Sequence, residues 1–241
     1  MSQIIVALDV PSRQEALNLV DRLGSEGDFY KVGLELFVAE GPAILSDLRR
    51  RGKRVFLDLK LHDIPSTVAR AVQTASHHGV ELLTVHVSGG RAMVERAVEA
   101  SDGLPRILGV TVLTSLDPEG VREAWGRSQV DVPTEVQRLA GLARSAGLDG
   151  LVASALEARA LRHLLGNEGY IVTPGIRPAG ASPGDQSRVT TPSEAVGAGA
   201  DALVVGRPVT RAQDPTAALR AIREEASQAG ERLVVKGRAP E

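Results

Sequence analysis

Asp58, Lys60 and Asp63 fall within six positions of one another, at the far end of an apolar run, Val55-Phe56-Leu57, that reads as a strand. Strand side chains alternate between faces, so Asp58 and Lys60 point to one side while Leu57, Leu59 and Leu61 take the other. With both faces committed, charge sits on a packed surface, which is costly unless it is paired or used. Two readings follow: a structural ion pair at a strand end, or a catalytic Asp/Lys array. Other strand ends carry related groups: Asp9, Lys31, His86 with Ser88, Thr114 with Ser115, Arg177, and Gly206-Arg207. Two lysines interleaved with aspartates keep each other ionised. A lysine held as an ammonium is a proton donor and an electrostatic clamp, not a Schiff-base nucleophile. The array therefore suits a reaction in which carbanion character develops and is quenched by a proton.

Strand-like and helix-like runs alternate along the whole chain and must position these groups. Strands are expected at 4–8, 29–33, 53–60, 82–87, 106–113, 150–153, 170–173 and 202–205. Between them lie helices, among them one capped by Ser12 with Glu15 in a capping box, others over about 41–50, 67–78, 134–146, 155–165 and 192–198, and a last one over about 215–229. A longer connection is expected from Thr114 through Pro133. Alternation of this kind implies parallel pairing, and eight units in 241 residues fit a single-domain (β/α)8 TIM barrel. No GxGxxG follows the first strand, which disfavours a dinucleotide-binding sheet. The barrel domain is expected over residues 1–229, with residues 230–241 as a C-terminal tail. In such barrels chemistry collects at the C-terminal ends of the strands. The strand starts, such as Gln3-Ile4, Gly79-Val80 and Ala200-Asp201, look chemically sparse by contrast.

Composition narrows the function further. Hydrophobic residues make up 43% of the chain but aromatics only 2%, so the core must be built from Ala, Val, Leu and Ile. With no cysteine, disulfides, thiolate chemistry and Cys-ligated zinc are excluded. A formal net charge of −2 lacks the basic excess of a nucleic-acid binder. Lysine is confined to Lys31, Lys53, Lys60 and Lys236, so a lysine at a strand end calls for a reason. No run approaches the roughly 20 apolar residues of a membrane span, the N-terminus lacks a signal-peptide pattern, and a cytoplasmic location is expected.

Arg177 and Gly206-Arg207 follow the seventh and eighth strands, the usual phosphate site of such barrels. Gly206 would let backbone N–H groups approach an anion, and arginine would clamp it. The segment 174–190, rich in small residues, is long for a connection and reads as a lid from which Gln186 reaches inward. His77, His78 and His163 read as surface residues, and His86 as a hydrogen-bonded core residue. No metal-ligand spacing is present, and the interleaved lysines would compete with a cation, so no metal is expected.

The run Asp58-Leu-Lys60-Leu-His-Asp63-Ile64-Pro65-Ser-Thr67 resembles the signature of the orotidine 5′-phosphate decarboxylase family in its bacterial form. Further motifs lie in register: Ala7-Leu8-Asp9, Lys31-Val32-Gly33, Val85-His86-Val87-Ser88-Gly89-Gly90, Leu113-Thr114-Ser115, Pro174-Gly175-Ile176-Arg177-Pro178, Asp185-Gln186 and Val205-Gly206-Arg207. The Asp-x-Lys-x-x-Asp core is shared with a wider superfamily of phosphosugar barrels, and the Ile-Pro-x-Thr, Pro-Gly-Ile-Arg-Pro and Gly-Arg motifs add specificity. The resemblance implies decarboxylation of orotidine 5′-monophosphate to UMP and CO2, the last step of UMP synthesis, with no metal and no organic cofactor. It implies that Lys60 protonates C6 of the pyrimidine and that Asp58 disfavours the bound carboxylate. Lys31 would pair with Asp58 and contact the ribose, and Asp9 would bind a ribose hydroxyl. Thr114 would hold the base, Gln186 would bridge base and phosphate, and Arg177, Gly206 and Arg207 would grip the phosphate. It further implies a homodimer with shared active sites, Asp63 and Thr67 serving the partner's site. The alternatives are a Mg2+-dependent phosphosugar lyase or decarboxylase of the same superfamily, for which Lys31 stands where an acidic ligand is wanted, and a nucleotide-binding barrel without turnover.

Overall fold

In the computed structural model, which describes residues 2–178 and 190–236, eight parallel strands pair in chain order and the last closes onto the first. They are β1 (Gln3–Ala7), β2 (Phe29–Gly33), β3 (Arg54–Leu61), β4 (Leu82–His86), β5 (Arg106–Val110), β6 (Gly150–Val152), β7 (Tyr170–Thr173) and β8 (Ala202–Val205). Closure is made by β1 and β8, with Gln3 opposite Ala202 and Val6 opposite Val205. The helices are α1 (Arg13–Leu23), α2 (Leu34–Glu40), α3 (Ala43–Arg50), α4 (Pro65–His77), α5 (Arg91–Ser101), α6 (Pro118–Trp125), α7 (Val132–Ser145), α8 (Ala155–Leu165), α9 (Pro192–Gly197), α10 (Arg207–Thr210) and α11 (Pro215–Lys236). The expected (β/α)8 barrel is the architecture found.

Local chemistry accounts for many of the boundaries. Ser12 caps α1 by accepting from the Glu15 backbone N–H, as the capping-box pattern predicts. Asp117 and Asp131 do the same for α6 and α7. Pro65, Pro118, Pro133 and Pro192 lie in the first turns of α4, α6, α7 and α9, where the missing N–H costs nothing.

Alternation sorts the strand residues into two cores. Ile5, Ala7, Phe29, Phe56, Leu82, Leu108, Val172, Ala202 and Val204 fill the barrel interior. The opposite faces pack under the helices, Val6, Leu57 and Leu83 in one cluster and Leu151 and Ile171 in another. The interior is a plugged, largely aliphatic core, as the low aromatic content requires. Above Phe56, β3 carries Asp58 and Lys60.

Several elements depart from expectation, among them β5, which ends at Val110 rather than running to 113. α2 and α10 fill stretches that carry no long apolar period, and α6 occupies the connection expected between Thr114 and Pro133. α11 runs to Lys236 rather than ending at Ala229, so the first part of the expected tail continues the helix. None of the helices among the described residues is long and apolar enough to cross a membrane.

Candidate active site

β3 does not deliver Asp58 and Lys60 as a regular strand would. Leu57 pairs with Leu83 but Leu61 pairs with Val85, so the register against β4 slips between them. Lys60 sits at the slip with φ = 50°, in the left-handed region that L-residues avoid. Such a conformation persists where surrounding contacts hold it. Here the Lys60 backbone N–H donates to Thr84 Oγ1 at 2.9 Å, and that hydroxyl donates to Asp58 Oδ1 at 2.9 Å. Thr84 on β4 therefore fixes both ends of the bulge. It was not singled out from the sequence, although it is the polar residue between inward-facing Leu82 and His86.

The bulge returns the Lys60 ammonium to Asp58, Nζ to Oδ1 at 2.9 Å. From β2, Lys31 donates to Asp9 Oδ1 at 2.8 Å and lies 3.8 Å from Asp58 Oδ2. The four groups form one chain, Asp9–Lys31–Asp58–Lys60, of alternating sign. Gly33 makes room for it: a Cβ there would lie 2.8 Å from Lys31 Nζ and 3.3 Å from Asp9 Oδ1. Burial alone would raise the Asp58 carboxyl, but Lys31, then Lys60 and the Thr84 hydroxyl, hold it below the usual carboxylate range, so it is ionised at neutral pH. His86 is pushed below the usual imidazole range, by burial first and then by His62 and Lys60, and is neutral at pH 7.

A cavity of about 430 Å3 opens over this array. Asp9, Lys31, Asp58, Lys60, Thr114, Arg177, Gly206 and Arg207 all line it, so eight of the residues singled out from the sequence converge. Phe56, Val110, Val152 and Val204 form its apolar floor. Thr210 and Arg211, at the end of α10, also line it and were missed, because nothing in the sequence marks Arg207-Pro208-Val209-Thr210 as a helix. Arg177 is 7% exposed and donates from Nη1 to the Ile176 carbonyl at 2.9 Å. A Cβ at Gly206 would meet nothing closer than Ala7 Cβ at 3.8 Å, so protein packing does not demand glycine there.

Asp63 and Thr67 are not among the residues lining this cavity. Asp63 is exposed, accepts from the Ile64 backbone N–H at 2.6 Å, and precedes Ile64, which is 64% exposed. Thr67 is half-buried in the first turn of α4 and accepts from Arg70 at 3.4 Å. Gln186 and most of the expected lid lie outside the described residues. Among the described residues, no group of three or more His, Asp or Glu side chains converges to hold a metal ion.

The expected poverty of the strand starts does not hold. Arg54 at the start of β3 pairs with Glu81 through two nitrogens, reaches Gln3 at 3.1 Å and stacks 4.1 Å over the Phe29 ring. Tyr170 donates to the same Gln3 oxygen at 2.9 Å. Charge is present at both barrel ends. Both ends open onto cavities, the strand-start one of about 680 Å3 lined by Arg54, Glu26, Arg220 and Arg223, and the end that carries the bulge differs in its left-handed lysine.

Residues 2–222 match the model of the family described as Orotidine 5′-phosphate decarboxylase / HUMPS. An orotidine 5′-phosphate decarboxylase of Moorella thermoacetica is 52% identical over 231 residues, covering 92% of this chain and 91% of that protein. One from Shewanella sediminis is 48% identical and covers 94% of this chain and 98% of its own length. The crystal structure of orotidine 5′-phosphate decarboxylase from Lactobacillus acidophilus superposes with a TM-score of 0.85 at 35% identity, covering 94% of this chain and 99% of that one.

Proposed function

The chain belongs to the orotidine 5′-phosphate decarboxylase / HUMPS family and is a carboxy-lyase of it, and from that premise we propose that it converts orotidine 5′-monophosphate to UMP and CO2 without a metal or organic cofactor. The observation that carries this reading is the Asp9–Lys31–Asp58–Lys60 chain lining one cavity with Arg177 and Arg207. The arginines and the Gly206 backbone take the phosphate, and Asp9 and Lys31 take the ribose. Thr114 holds the pyrimidine, with Gln186 bridging base and phosphate.

The substrate carboxylate then lies against Asp58, an anion buried among cations. Loss of CO2 removes that repulsion and leaves negative charge at C6, which the Lys60 ammonium stabilises and then protonates. The proton goes from Nζ to C6, and the C6–carboxylate bond supplies the electron pair. A fixed ammonium suits this role better than a neutral amine, and the contact with Asp58 Oδ1 at 2.9 Å fixes its position.

Asp63 and Thr67 complete the neighbouring site of a homodimer in this proposal. Its support is the outward placement of Asp63 and the exposed Ile64 beside it. The Mg2+-dependent alternative would have to strip Lys31 from between Asp9 and Asp58 before a cation could use those carboxylates.

The test follows the orotate absorbance on mixing enzyme with orotidine 5′-monophosphate, with and without EDTA. Loss of the band at the same rate in both arms is expected. Activity abolished by EDTA, or UMP binding without CO2 release, would overturn the reading. Mixing inactive Lys60→Ala with inactive Asp63→Ala tests the shared site, because each mixed dimer holds one intact site. Recovery of about a quarter of parental activity is expected at random exchange. No recovery between variants shown to exchange subunits would return Asp63 to its own barrel.

A further inference from the structure

Arg177 is buried, yet it follows the end of β7 by four residues, and something must fix its backbone there. Its N–H donates to the Thr190 carbonyl at 2.9 Å, and the Thr190 N–H donates to the Gly175 carbonyl at 3.2 Å. Ile176 and Thr190 thus form an isolated parallel bridge whose core side is the buried Ile176. Among the described residues this bridge lies outside any named strand, and Thr190 has an anchor of its own.

That anchor is one carboxylate oxygen. Glu194 Oε2 accepts from Thr190 Oγ1 at 3.0 Å, from the Thr191 backbone N–H at 2.9 Å and from Thr191 Oγ1 at 2.9 Å. Part of this is the capping box of α9, in which Thr191 accepts in return from the Glu194 N–H at 3.2 Å. The contact from Thr190 is additional to the box and extends it one residue back, onto the bridge. The hydrogen bonds from Thr191, then from Thr190, hold the Glu194 carboxyl below its usual range, so the acceptor is charged at neutral pH. On its far side α9 is tied to α11, where Ser193 donates to Glu225 from Oγ at 3.0 Å and from its backbone N–H at 3.3 Å.

We infer that Glu194 is a positioning residue for substrate phosphate: through Thr190 and the bridge it sets the backbone of Arg177, and so the reach of the guanidinium into the cavity. The inference rests on the proposed function for the identity of the ligand. It assigns a role to an exposed residue outside the cavity, and that role concerns only the phosphate end. Lys31, Asp58 and Lys60 sit on β2 and β3 and share no hydrogen bond with the clasp.

Two ligands separate this role from a merely structural one: UMP, which carries the phosphate, and uridine, which lacks it. In Glu194→Ala, KM for orotidine 5′-monophosphate and the dissociation constant of UMP should each rise about tenfold, as expected for a displaced anchor. Uridine affinity and kcat at saturation should stay within about twofold of the parent. Glu194→Gln keeps a carbonyl oxygen for Thr190 and should recover most of the loss. Thr190→Val, which keeps the backbone bridge but loses the hydroxyl, should show a weaker version of the same split and serves if Glu194→Ala folds poorly. Equal weakening of UMP and uridine, or UMP affinity unchanged in both variants, would overturn the inference. Failure of the parent protein to decarboxylate orotidine 5′-monophosphate would instead strike the proposed function, and calorimetry with the two ligands would still report on the clasp.

Discussion

The two ends of the barrel hold charge in different ways. At the strand starts, Arg54 meets Glu81 in a two-nitrogen pairing, stacks on Phe29 and reaches Gln3, and nearby Glu26 takes both Arg220 and Arg223. Arg54 has a geometrically matched carboxylate, Arg220 and Arg223 divide the two oxygens of one, and all three sit on a regular strand or helix. At the strand ends, two point-like ammonium groups share Asp58, and one of them is carried on a left-handed residue in a slipped strand. The first arrangement is what an ion pair looks like when it closes a structure. Both face cavities, but the second holds its charges against the backbone's own preference. Charge at a barrel end, even on a shared carboxylate, is therefore a poor marker of chemistry; unfavourable backbone geometry marks it better.

Substitutions can break or sharpen that contrast. Lys60→Ala should lower kcat by about a thousandfold or more if the ammonium is the proton donor. A variant that keeps near-parental turnover of orotidine 5′-monophosphate would put Lys60 in the same class as Arg54. Arg207→Ala should raise KM by about tenfold to a hundredfold while kcat changes less, if Arg207 grips the phosphate as proposed and so acts on binding. Steady-state kinetics separate the two parameters, and an equal fall in kcat would argue against a binding role.

At the other end, Arg54→Met should leave kcat and KM unchanged and lower stability by about 2 kcal/mol, read from urea unfolding, since it leaves Glu81 without its partner. A kinetic defect there would erase the distinction between the ends. The smallest effect concerns the backbone alone. Lys60→Gly should be about 1 kcal/mol more stable than Lys60→Ala, because glycine accepts φ = 50° without a Cβ penalty. Equal stabilities would mean that the bulge relaxes once the lysine is removed.

Most of the barrel was legible because each strand is a short apolar run bounded by a turn, and because Ser12 marks the start of α1 in a familiar way. The short helices were not. α2 buries little beyond Leu36, so it has no apolar stripe to read, and α10 is only one turn long. α6 had a legible cap in Asp117-Pro118, but its eight residues sit inside a connection and were passed over. In the site, residue type and strand-end position together found eight of the residues lining the cavity but not Thr210 and Arg211. What they could not show was how Lys60 gets there. Simple alternation puts Asp58 and Lys60 on one side, and they do meet, but through a bulge that no residue type announces. Thr84 was hidden for a similar reason: a threonine in an apolar strand is ordinary until its neighbours are known.

The order of these residues along the chain has a consequence for how the molecule becomes competent. Asp9, Lys31, Asp58 and Lys60 lie on the first three strand ends, whereas Arg177, Gly206 and Arg207 follow the last two, and the two groups are joined where β1 meets β8. During synthesis the half that carries the charge array emerges long before the half proposed to grip phosphate. No partial ring holds both, so ligand recognition has to await the most sequence-distant pairing in the fold, which is also the slowest kind to form. A nucleotide that touches both halves would then act as a rivet across that seam, and its binding energy would be felt as resistance to the barrel's opening.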